Sequence, residues 1–198
     1  MEQLIFNEDK NQLYVSQQRN ETFQDAVVLG DAYFIQVAPS FSTGLITIAT
    51  RYYALQLQNP SLSPKKVFLQ SLNITRTTTG IGVNVTLDTD IALYKGGTLG
   101  SGSSVTISKV NPSSANNTSA TAVSQGFSST NPLTGGTLIE GMSIVSSDTT
   151  YYYLYNGSIL IPPGSTLTLW VRVFISSLLG ISASVTLSML LKYWEENN

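Results

Sequence analysis

The chain has 198 residues, of which 42% are hydrophobic and 11% charged, and its net charge is −2. This size suffices for one domain with a continuous core, and the ten basic residues are scattered from Lys10 to Lys192, which argues against a nucleic-acid partner. There is no Cys and no His, so disulfides, thiolate metal sites and the common catalytic triads are excluded.

Residues 1–25 are predicted to form an N-terminal extended arm. Two short apolar groups in it are separated by the polar, turn-like sequence NEDKNQ. Because exposed sheet edges offer unpaired amides and carbonyls, we expect residues 1–17 to bridge subunits by adding as a strand to a neighbour. The alternative is an arm that folds back and covers an edge of its own domain. The anchoring residues of the expected contact are Leu4, Phe6, Leu13 and Val15.

The first ten residues, MEQLIFNEDK, have neither the basic n-region nor the apolar h-region of a secretory signal. Ser and Thr make up roughly a quarter of the chain, as is common in extracellular, virion and fibre proteins. We therefore expect a protein of an extracellular surface, either a fibre, a spore surface or a virion. Either a signal segment was removed before this numbering begins, or the protein leaves its cell by lysis or assembles around it, and Met1 favours the second expectation.

Residues 26–198 are predicted to form one all-β domain, an antiparallel jelly-roll β-sandwich. Short strands with period-two alternation, separated by Gly-, Pro- and Asn-rich turns and without a helical stripe, are typical of this class. In KVFLQSLNIT, the residues Phe68, Leu72 and Ile74 are expected to share one face. The strand candidates are residues 32–37, 45–50, 53–58, 66–75, 82–94, 104–109, 137–145 and 151–155.

Residues 96–136 form the one region of low complexity, and its only charge is Lys109. We expect a long surface excursion around one strand, whose loops contact a neighbour or a receptor. Shortening residues 111–131 is then expected to leave thermal stability nearly unchanged, because closing a shorter loop costs little.

A Pro-Pro-Gly sequence separates two apolar runs in NGSILIPPGSTLTLWVRV, residues 156–173. Pro162 and Pro163 lack the amide donor that a central strand needs, and Gly164 is free to take a positive φ. The segment is predicted to be a β-hairpin rather than a membrane-active segment or a catalytic loop.

Residues 173–191 contain no charge and are long enough to cross a bilayer as a helix. However, Val185 and Leu187 alternate with Ser184 and Thr186, and this period of two continues on both sides. A period of two for the serines is not expected of a helix in lipid, whereas it is expected of a strand with one solvent-exposed face. We predict a strand and no membrane insertion.

Acidic residues are the main candidates for chemistry. Asp88 and Asp90 share one strand face and could hold calcium or act as an acid/base pair, but a solvated face is the simpler interpretation because calcium needs six or more oxygens. Glu140 could be a catalytic acid, although an outward-facing residue on an edge strand explains it more simply. Glu195 and Glu196 are expected to be solvated. No enzyme activity, metal or cofactor is predicted.

Tyrosines are concentrated in YYYLY, residues 151–155. They could stack on sugar rings, as tyrosines do in carbohydrate-binding sandwiches. Tyrosines at alternate positions of a strand more often lie half in the core and half at an interface, because the ring is readily buried while the hydroxyl reaches water. The candidate glycan-contact residues are Tyr151, Tyr152, Tyr153 and Tyr155.

The succession of NPLTGGTLIEGMSI, GSILIPPGSTLTLWV and a last strand ending in KYWEE resembles small jelly-roll proteins encoded in phage and Gram-positive bacterial genomes. These include virion decoration or fibre subunits and the jelly-roll subunits of bacterial spore appendages. The pattern extends over residues 30–196, and its specific part is 131–196. The resemblance implies a jelly-roll fold and a structural role. The appendage subunits link neighbours through cysteines, which this chain lacks.

These patterns predict a structural subunit that self-assembles into an extracellular fibre or surface-appendage filament through β-strand contacts, so that its partners are copies of itself. Low charge and abundant hydroxyls fit close repeated packing, where each charge in a contact would need a partner. The alternatives are a phage virion decoration or head-fibre protein and a carbohydrate-binding module that contacts a surface glycan.

Overall fold

The computed structural model describes residues 2–7, 12–17, 22–43, 48–79, 85–144, 150–177 and 183–197. Its elements in chain order are β1 (Glu2–Asn7), β2 (Gln12–Gln17), α1 (Phe23–Leu29), β3 (Ala32–Val37), β4 (Ser40–Ser42), β5 (Ile48–Asn59), β6 (Lys65–Thr79), β7 (Val85–Lys95), β8 (Thr98–Leu99), β9 (Ser103–Ser104), β10 (Ser108–Lys109), β11 (Thr121–Ser128), β12 (Leu133–Thr134), β13 (Thr137–Ile144), β14 (Thr150–Ile161), β15 (Ser165–Ser177) and β16 (Ser184–Asn197).

Two antiparallel sheets form a jelly-roll sandwich. Sheet 1 has the order β10-β3-β16-β6-β14, with β4 also paired to β16, and sheet 2 has the order β13-β7-β15-β5-β11-β9. Eight strands of these two sheets remain when β4 and the strands of the 96–136 segment are set aside. Numbered from first to eighth along the chain, these strands lie side by side in the order first, eighth, third, sixth in sheet 1. In sheet 2 the order is fifth, fourth, seventh, second. This is the double-sheet order of a jelly roll, and the predicted fold class is confirmed.

One hydrophobic core lies between the two sheets, and β16 shows why the sequence forms a strand there. Val185, Leu187 and Met189 are almost completely buried in this core, whereas Ser188 is exposed. The predicted strand is therefore confirmed for residues 184–191, where burial follows the period of two that the sequence shows. Residues 173–177 belong instead to β15 of sheet 2, and 178–182 lie outside the described residues. Within the described ranges, none of the helical structure has the length and hydropathy needed to cross a membrane.

The helix α1 packs on sheet 1 outside the main core. The Thr22 hydroxyl accepts a hydrogen bond from the amide of Asp25, whose carboxylate accepts one from the amide of Thr22, forming a capping box. Phe23 meets the ring of Trp194 edge to face, with 6.2 Å between centroids, and Ala26 is buried in the same small cluster. The expected boundary between arm and sandwich at residue 25 lies within this helix.

A β-bulge at Gln70 changes which side chains of β6 face the main core. Beyond the bulge, Leu72 and Ile74 are buried in that core, as predicted. Before it, Phe68 points the other way and stacks on Trp194 with 5.3 Å between ring centroids. The predicted common face is therefore wrong for Phe68, because one extra residue reverses the alternation.

Residues 96–136 are integrated into the sandwich. β11 pairs with β5 and extends sheet 2, and Ala120 and Ala122 are buried in the main core. The predicted strand at 104–109 is divided, because β9 pairs with β11 while β10 pairs with β3 of sheet 1. The segment therefore crosses from one sheet to the other and supplies edge strands to both.

The Pro-Pro-Gly turn joins the two sheets. β14 before it pairs with β6 in sheet 1, whereas β15 after it pairs with β5 and β7 in sheet 2. Gly164 has a φ of 78°, as predicted, and its amide donates to the carbonyl of Asn59 at 2.8 Å. The predicted hairpin is wrong, because a tight turn fixes only the reversal of the chain while the rest of the fold sets each strand's partners.

The other predicted strands are found with altered bounds. The prediction at 32–37 corresponds to β3, and 151–155 is the first part of the longer β14. Residues 48–50 and 53–58, predicted in two strands, belong to the single strand β5. Parts of the predictions at 45–50, 82–94 and 137–145 lie outside the described residues.

Candidate assembly surfaces

Among the described residues, β13 and β14 form an open edge at one side of the sandwich. β13 is the last strand of sheet 2 and β14 the last strand of sheet 1, and among the described strands none pairs with their outer sides. On the opposite side of the sandwich, strands of the 96–136 segment add to β5 and β3. The inserted segment thus covers one side and leaves the β13–β14 edge available to another chain.

Two tyrosine hydroxyls tie this edge together. Tyr155 donates to Oε2 of Glu140 at 2.9 Å, and Tyr153 donates to Sδ of Met142 at 2.6 Å. Burial and then Glu140, through its hydrogen bond and charge, raise the pKa of Tyr155. Burial and then the charge of Glu140 also raise the pKa of Tyr153. Glu140 therefore lies on an edge strand, as predicted, but the prediction that it faces outward is wrong, because its carboxylate faces β14 and links the two sheets.

β13 of sheet 2 and β14 of sheet 1 each expose large apolar side chains, which we call together the edge patch. Its members and their exposed fractions are Leu138 (56%), Ile139 (44%), Tyr152 (61%), Leu154 (52%) and Leu160 (43%). Apolar side chains along an unpaired strand edge are characteristic of an interaction surface, because water leaves both them and the unpaired backbone groups when a strand is added.

The four candidate glycan-contact tyrosines do not share one face of β14. Tyr151, Tyr153 and Tyr155 are partly buried and pack against the main core, whereas Tyr152 is exposed on the opposite face. This arrangement follows from the period of two along a strand. Of the four rings, the outer face of sheet 1 therefore presents only that of Tyr152.

A shallow depression lies on this outer face beside Tyr152. Cross-strand pairing forms a row in which Tyr152 lies next to Asn73, Asn73 next to Leu190, and Leu190 next to Gln36. The residues that line the depression are Gln36, Asn73, Thr75, Ser188, Met189 and Leu190. Its lining consists of neutral amides, hydroxyls and apolar groups.

Asp90 is held by the two strands next to its own. The Ser143 hydroxyl donates to Oδ1 of Asp90 at 2.5 Å, and the Arg172 guanidinium contacts Oδ2. The Arg172 side chain is 45% exposed, so this ion pair contributes little to stability. Asp88 is partly exposed on the same strand. The described residues include no group of three or more His, Cys, Asp or Glu that could hold a metal ion.

The N-terminal arm is a two-stranded hairpin. β1 pairs antiparallel with β2 in a sheet of its own. The register places Leu4 opposite Val15 and Phe6 opposite Leu13. The register thus pairs the four predicted anchoring positions with one another across the hairpin.

Glu195 is buried at the end of the sandwich where α1 lies. The whole residue is 1% exposed, and its carboxylate accepts hydrogen bonds from the amides of Ser119 and Ala120 and from the hydroxyl of Thr118. The Thr118 hydroxyl also lies 2.8 Å from that of Tyr193. The prediction that Glu195 is solvated is wrong, because its donors come from a loop 75 positions away in the sequence.

Lys65 joins Glu195 to a second carboxylate. Its Nζ atom lies 2.6 Å from Oδ1 of Asp31 and 3.6 Å from Oε2 of Glu195. Asp31 precedes β3, Lys65 begins β6, and Glu195 belongs to β16, which lies between those strands in sheet 1. We call these three residues the Lys65 cluster. Its members are distant in sequence and none belongs to a local motif, so sequence reasoning missed it.

No protein-family model matches this chain, and no curated protein matches it. Among solved structures, the chain is similar to VP2 in a crystal structure of an infectious bursal disease virus subviral particle. That match has a TM-score of 0.20 and 10% identity and covers 100% of this chain and 47% of that chain. VP2 in T=1 particles derived from the virus matches with a TM-score of 0.15 and 9% identity, covering 98% and 44%.

This chain thus spans less than half the length of the VP2 chains that it matches. TM-scores this low carry no argument about relationship. The jelly-roll assignment therefore depends on the strand order of the chain itself.

Proposed function

We propose that the protein is a non-enzymatic structural subunit that self-assembles into an extracellular fibre or surface appendage through β-strand contacts between copies. The observation that carries the proposal is the open β13–β14 edge with its edge patch. Unpaired backbone groups beside exposed apolar side chains form a template to which a strand from another chain can add.

The N-terminal hairpin of a second copy is the segment that we propose to dock there. A two-stranded sheet is marginally stable in water unless its apolar face is covered. The edge patch offers a cover of matching character, and the hairpin forms a sheet separate from the two sheets of the sandwich. An exchanged hairpin would link each subunit to the next and produce an open chain of subunits.

The charge content of the chain supports close repeated packing. Only 11% of the residues are charged, and the edge patch consists of aliphatic side chains and Tyr152. Strand addition at this edge therefore brings few charges out of water, and few interfacial ion pairs are needed to compensate.

The edge is tested by replacing Leu154 with Lys and following assembly by negative-stain electron microscopy and size-exclusion chromatography. A buried charge without a partner should abolish assembly while circular dichroism shows that the domain remains folded. Leu62→Lys is the matched control, because Leu62 is 94% exposed in the β5–β6 loop and lies outside the edge patch. Equal assembly of both variants would contradict the proposal, as would a wild-type protein that stays monomeric.

Deletion of residues 1–17 tests the hairpin separately. A folded monomer that no longer assembles supports a bridge between subunits. An unfolded product supports a hairpin that covers its own domain. Assembly as in the wild type would remove the hairpin from the mechanism while leaving the β13–β14 edge to be judged by Leu154→Lys.

A virion decoration or head-fibre subunit is an alternative within the same class of structural proteins. Closed oligomers of fixed size in micrographs of the wild-type protein would favour it, whereas filaments of variable length would favour the fibre.

Glycan binding is a second candidate function, favoured by the neutral depression beside Tyr152. Amides and hydroxyls can exchange hydrogen bonds with a sugar, and an aromatic ring can cover its apolar face. A panel of neutral oligosaccharides immobilised on a surface provides the test. Binding that is lost in Asn73→Ala and kept in Gln58→Ala, a substitution of an exposed amide elsewhere, would support it. No binding to any member of the panel would exclude this function for those sugars.

A further inference from the structure

We propose that the chain forms an intramolecular isopeptide bond between Nζ of Lys65 and Cγ of Asp31, with Glu195 transferring the proton that the reaction requires. This inference is independent of the proposed assembly. It depends on the Lys65 cluster, in which an amine, a carboxyl group and a second, buried carboxyl group lie together.

The geometry places the two reacting groups in contact. Nζ of Lys65 is 2.6 Å from Oδ1 of Asp31, and the two side chains are 18% and 19% exposed. Glu195 is 0% exposed in its side chain, and its Oε2 atom is 3.6 Å from the same nitrogen. An amine held against a carboxyl group has a high effective concentration, which replaces the activation that amide formation needs in water.

The main chain fixes both ends of the proposed bond. The carbonyl of Lys65 accepts hydrogen bonds from Nδ2 of Asn59 at 2.9 Å and from the Ser63 hydroxyl at 3.1 Å. The carbonyl of Asp31 accepts one from the amide of Glu195 at 3.0 Å. The reacting side chains therefore start from anchored backbone positions, and little motion is needed to bring Nζ onto Cγ.

The first step is a proton transfer within the Lys65–Asp31 pair. An ammonium and a carboxylate do not condense, whereas a neutral amine and a neutral carboxylic acid do. The short contact allows a proton to pass from Nζ to the carboxyl group of Asp31.

The bond-forming step balances without an oxidant or an external activating group. The lone pair of Nζ attacks Cγ of Asp31, and the π electrons of the carbonyl move onto its oxygen. Oε2 of Glu195 takes a proton from the nitrogen, which has become positively charged, and gives it to the departing hydroxyl. The carbonyl re-forms as the C–OH bond breaks, and the products are one amide and one water. Glu195 returns to its initial state.

The proposed bond would join β3 to β6 across β16. Asp31 lies between α1 and β3. Closing this loop covalently would restrict the unfolded chain and raise stability, as a disulfide does. The chain has no Cys, so the amide would provide a cross-link that its sequence cannot otherwise form.

Intact-mass spectrometry of the purified, denatured full chain tests the proposal. The expected mass is lower than that of the sequence by one water molecule, and tandem spectrometry of a digest should find the peptides of Asp31 and Lys65 joined. A wild-type protein of full sequence mass would overturn the proposal. So would a water loss that maps to other residues.

Three variants identify the groups. Lys65→Arg should have its full mass, because a guanidinium cannot form this amide, whereas Lys66→Arg should lose water as the wild type does. Glu195→Gln should form the bond at least about a hundredfold more slowly, since it cannot accept the proton. Water loss that persists in Lys65→Arg would overturn the bond, and an unchanged rate in Glu195→Gln would overturn the role of Glu195. If a variant does not fold, the presence or absence of the linked peptide in the wild-type digest still tests the proposed bond.

Discussion

The amide of Ser119 donates to both carboxylate oxygens of Glu195, at 3.0 Å to Oε1 and 3.1 Å to Oε2. This contact joins the last strand of the sandwich to the segment inserted between β7 and β13. It satisfies a buried carboxylate with backbone donors and so fixes the loop before β11 at the end of the fold.

Replacing Glu195 with Ala should lower the free energy of unfolding by about 3 to 5 kcal/mol, because the buried donors of Ser119, Ala120 and Thr118 are left unsatisfied. Urea denaturation measures this loss. Asp88→Ala is the control, since Asp88 is partly exposed in β7, and it should cost less than about 1 kcal/mol. Equal losses in the two variants would contradict the structural role of Glu195.

Deleting residues 111–131 should abolish cooperative folding, in contrast to the expectation from composition alone. The deletion removes β11 from sheet 2 and takes Ala120 and Ala122 out of the main core. Thermal melts followed by circular dichroism provide the measurement. Inserting Gly-Ser after Ser129, in an exposed turn, should change the melting temperature little. A deletion variant that melts like the wild type would show the segment to be dispensable.

Gly157→Ala should destabilise the protein by about 1 to 3 kcal/mol. The φ of Gly157 is 79°, and an added Cβ would lie 2.5 Å from the ring of Trp194. Gly126→Ala is the matched control, because a Cβ there meets no heavy atom within 4 Å. Chemical denaturation of both variants should separate them clearly, and similar midpoints would be inconsistent with this packing.

Leu187→Ala should cost about 2 to 4 kcal/mol through the cavity left in the main core, where Leu187 is completely buried. Ser188→Ala, on the exposed side of the same strand, should change the unfolding free energy by less than about 0.5 kcal/mol. Urea denaturation distinguishes the two, and a reversed order would place the wrong face of β16 in the core.

Stability should fall as the pH rises from 10 to about 12. Burial raises the pKa of Tyr53 from 10.0 to about 12, so in this window the folded state binds more protons than the unfolded state. The contribution of Tyr53 to the free energy of unfolding is fully present below pH 10 and is lost as the pH rises through 12. It is on the order of 2 to 3 kcal/mol. Burial also raises the pKa values of Tyr33 and Tyr193.

Denaturation midpoints measured at several alkaline pH values check this dependence. Tyr53→Phe should reduce the alkaline slope, whereas Tyr152→Phe, at an exposed position, should leave it unchanged. A wild-type midpoint that is constant between pH 10 and 12 would be incompatible with buried neutral tyrosines.

The candidate sites were only partly predictable from the sequence. The alternating pattern of YYYLY predicts that its tyrosines divide between core and surface, and Tyr152 and Tyr153 do so. The Lys65 cluster has no such local signal, since its three members meet only after β3, β6 and β16 have paired.

The sequence by itself determined the strands and several turns. Val185, Leu187 and Met189 are buried at period two because successive side chains of an extended chain point to opposite faces. Gly164 takes a positive φ at the predicted turn, where a side chain would be strained. These are consequences of local stereochemistry, which a short stretch of sequence contains.

The tertiary structure decided which strands pair and which polar groups are buried. The Pro-Pro-Gly turn places β14 and β15 in different sheets, the bulge at Gln70 turns Phe68 away from the main core, and Glu195 receives its donors from the inserted segment. Each outcome depends on contacts between residues distant in sequence. Such contacts form only where the whole chain can bury its apolar surface and satisfy its backbone together.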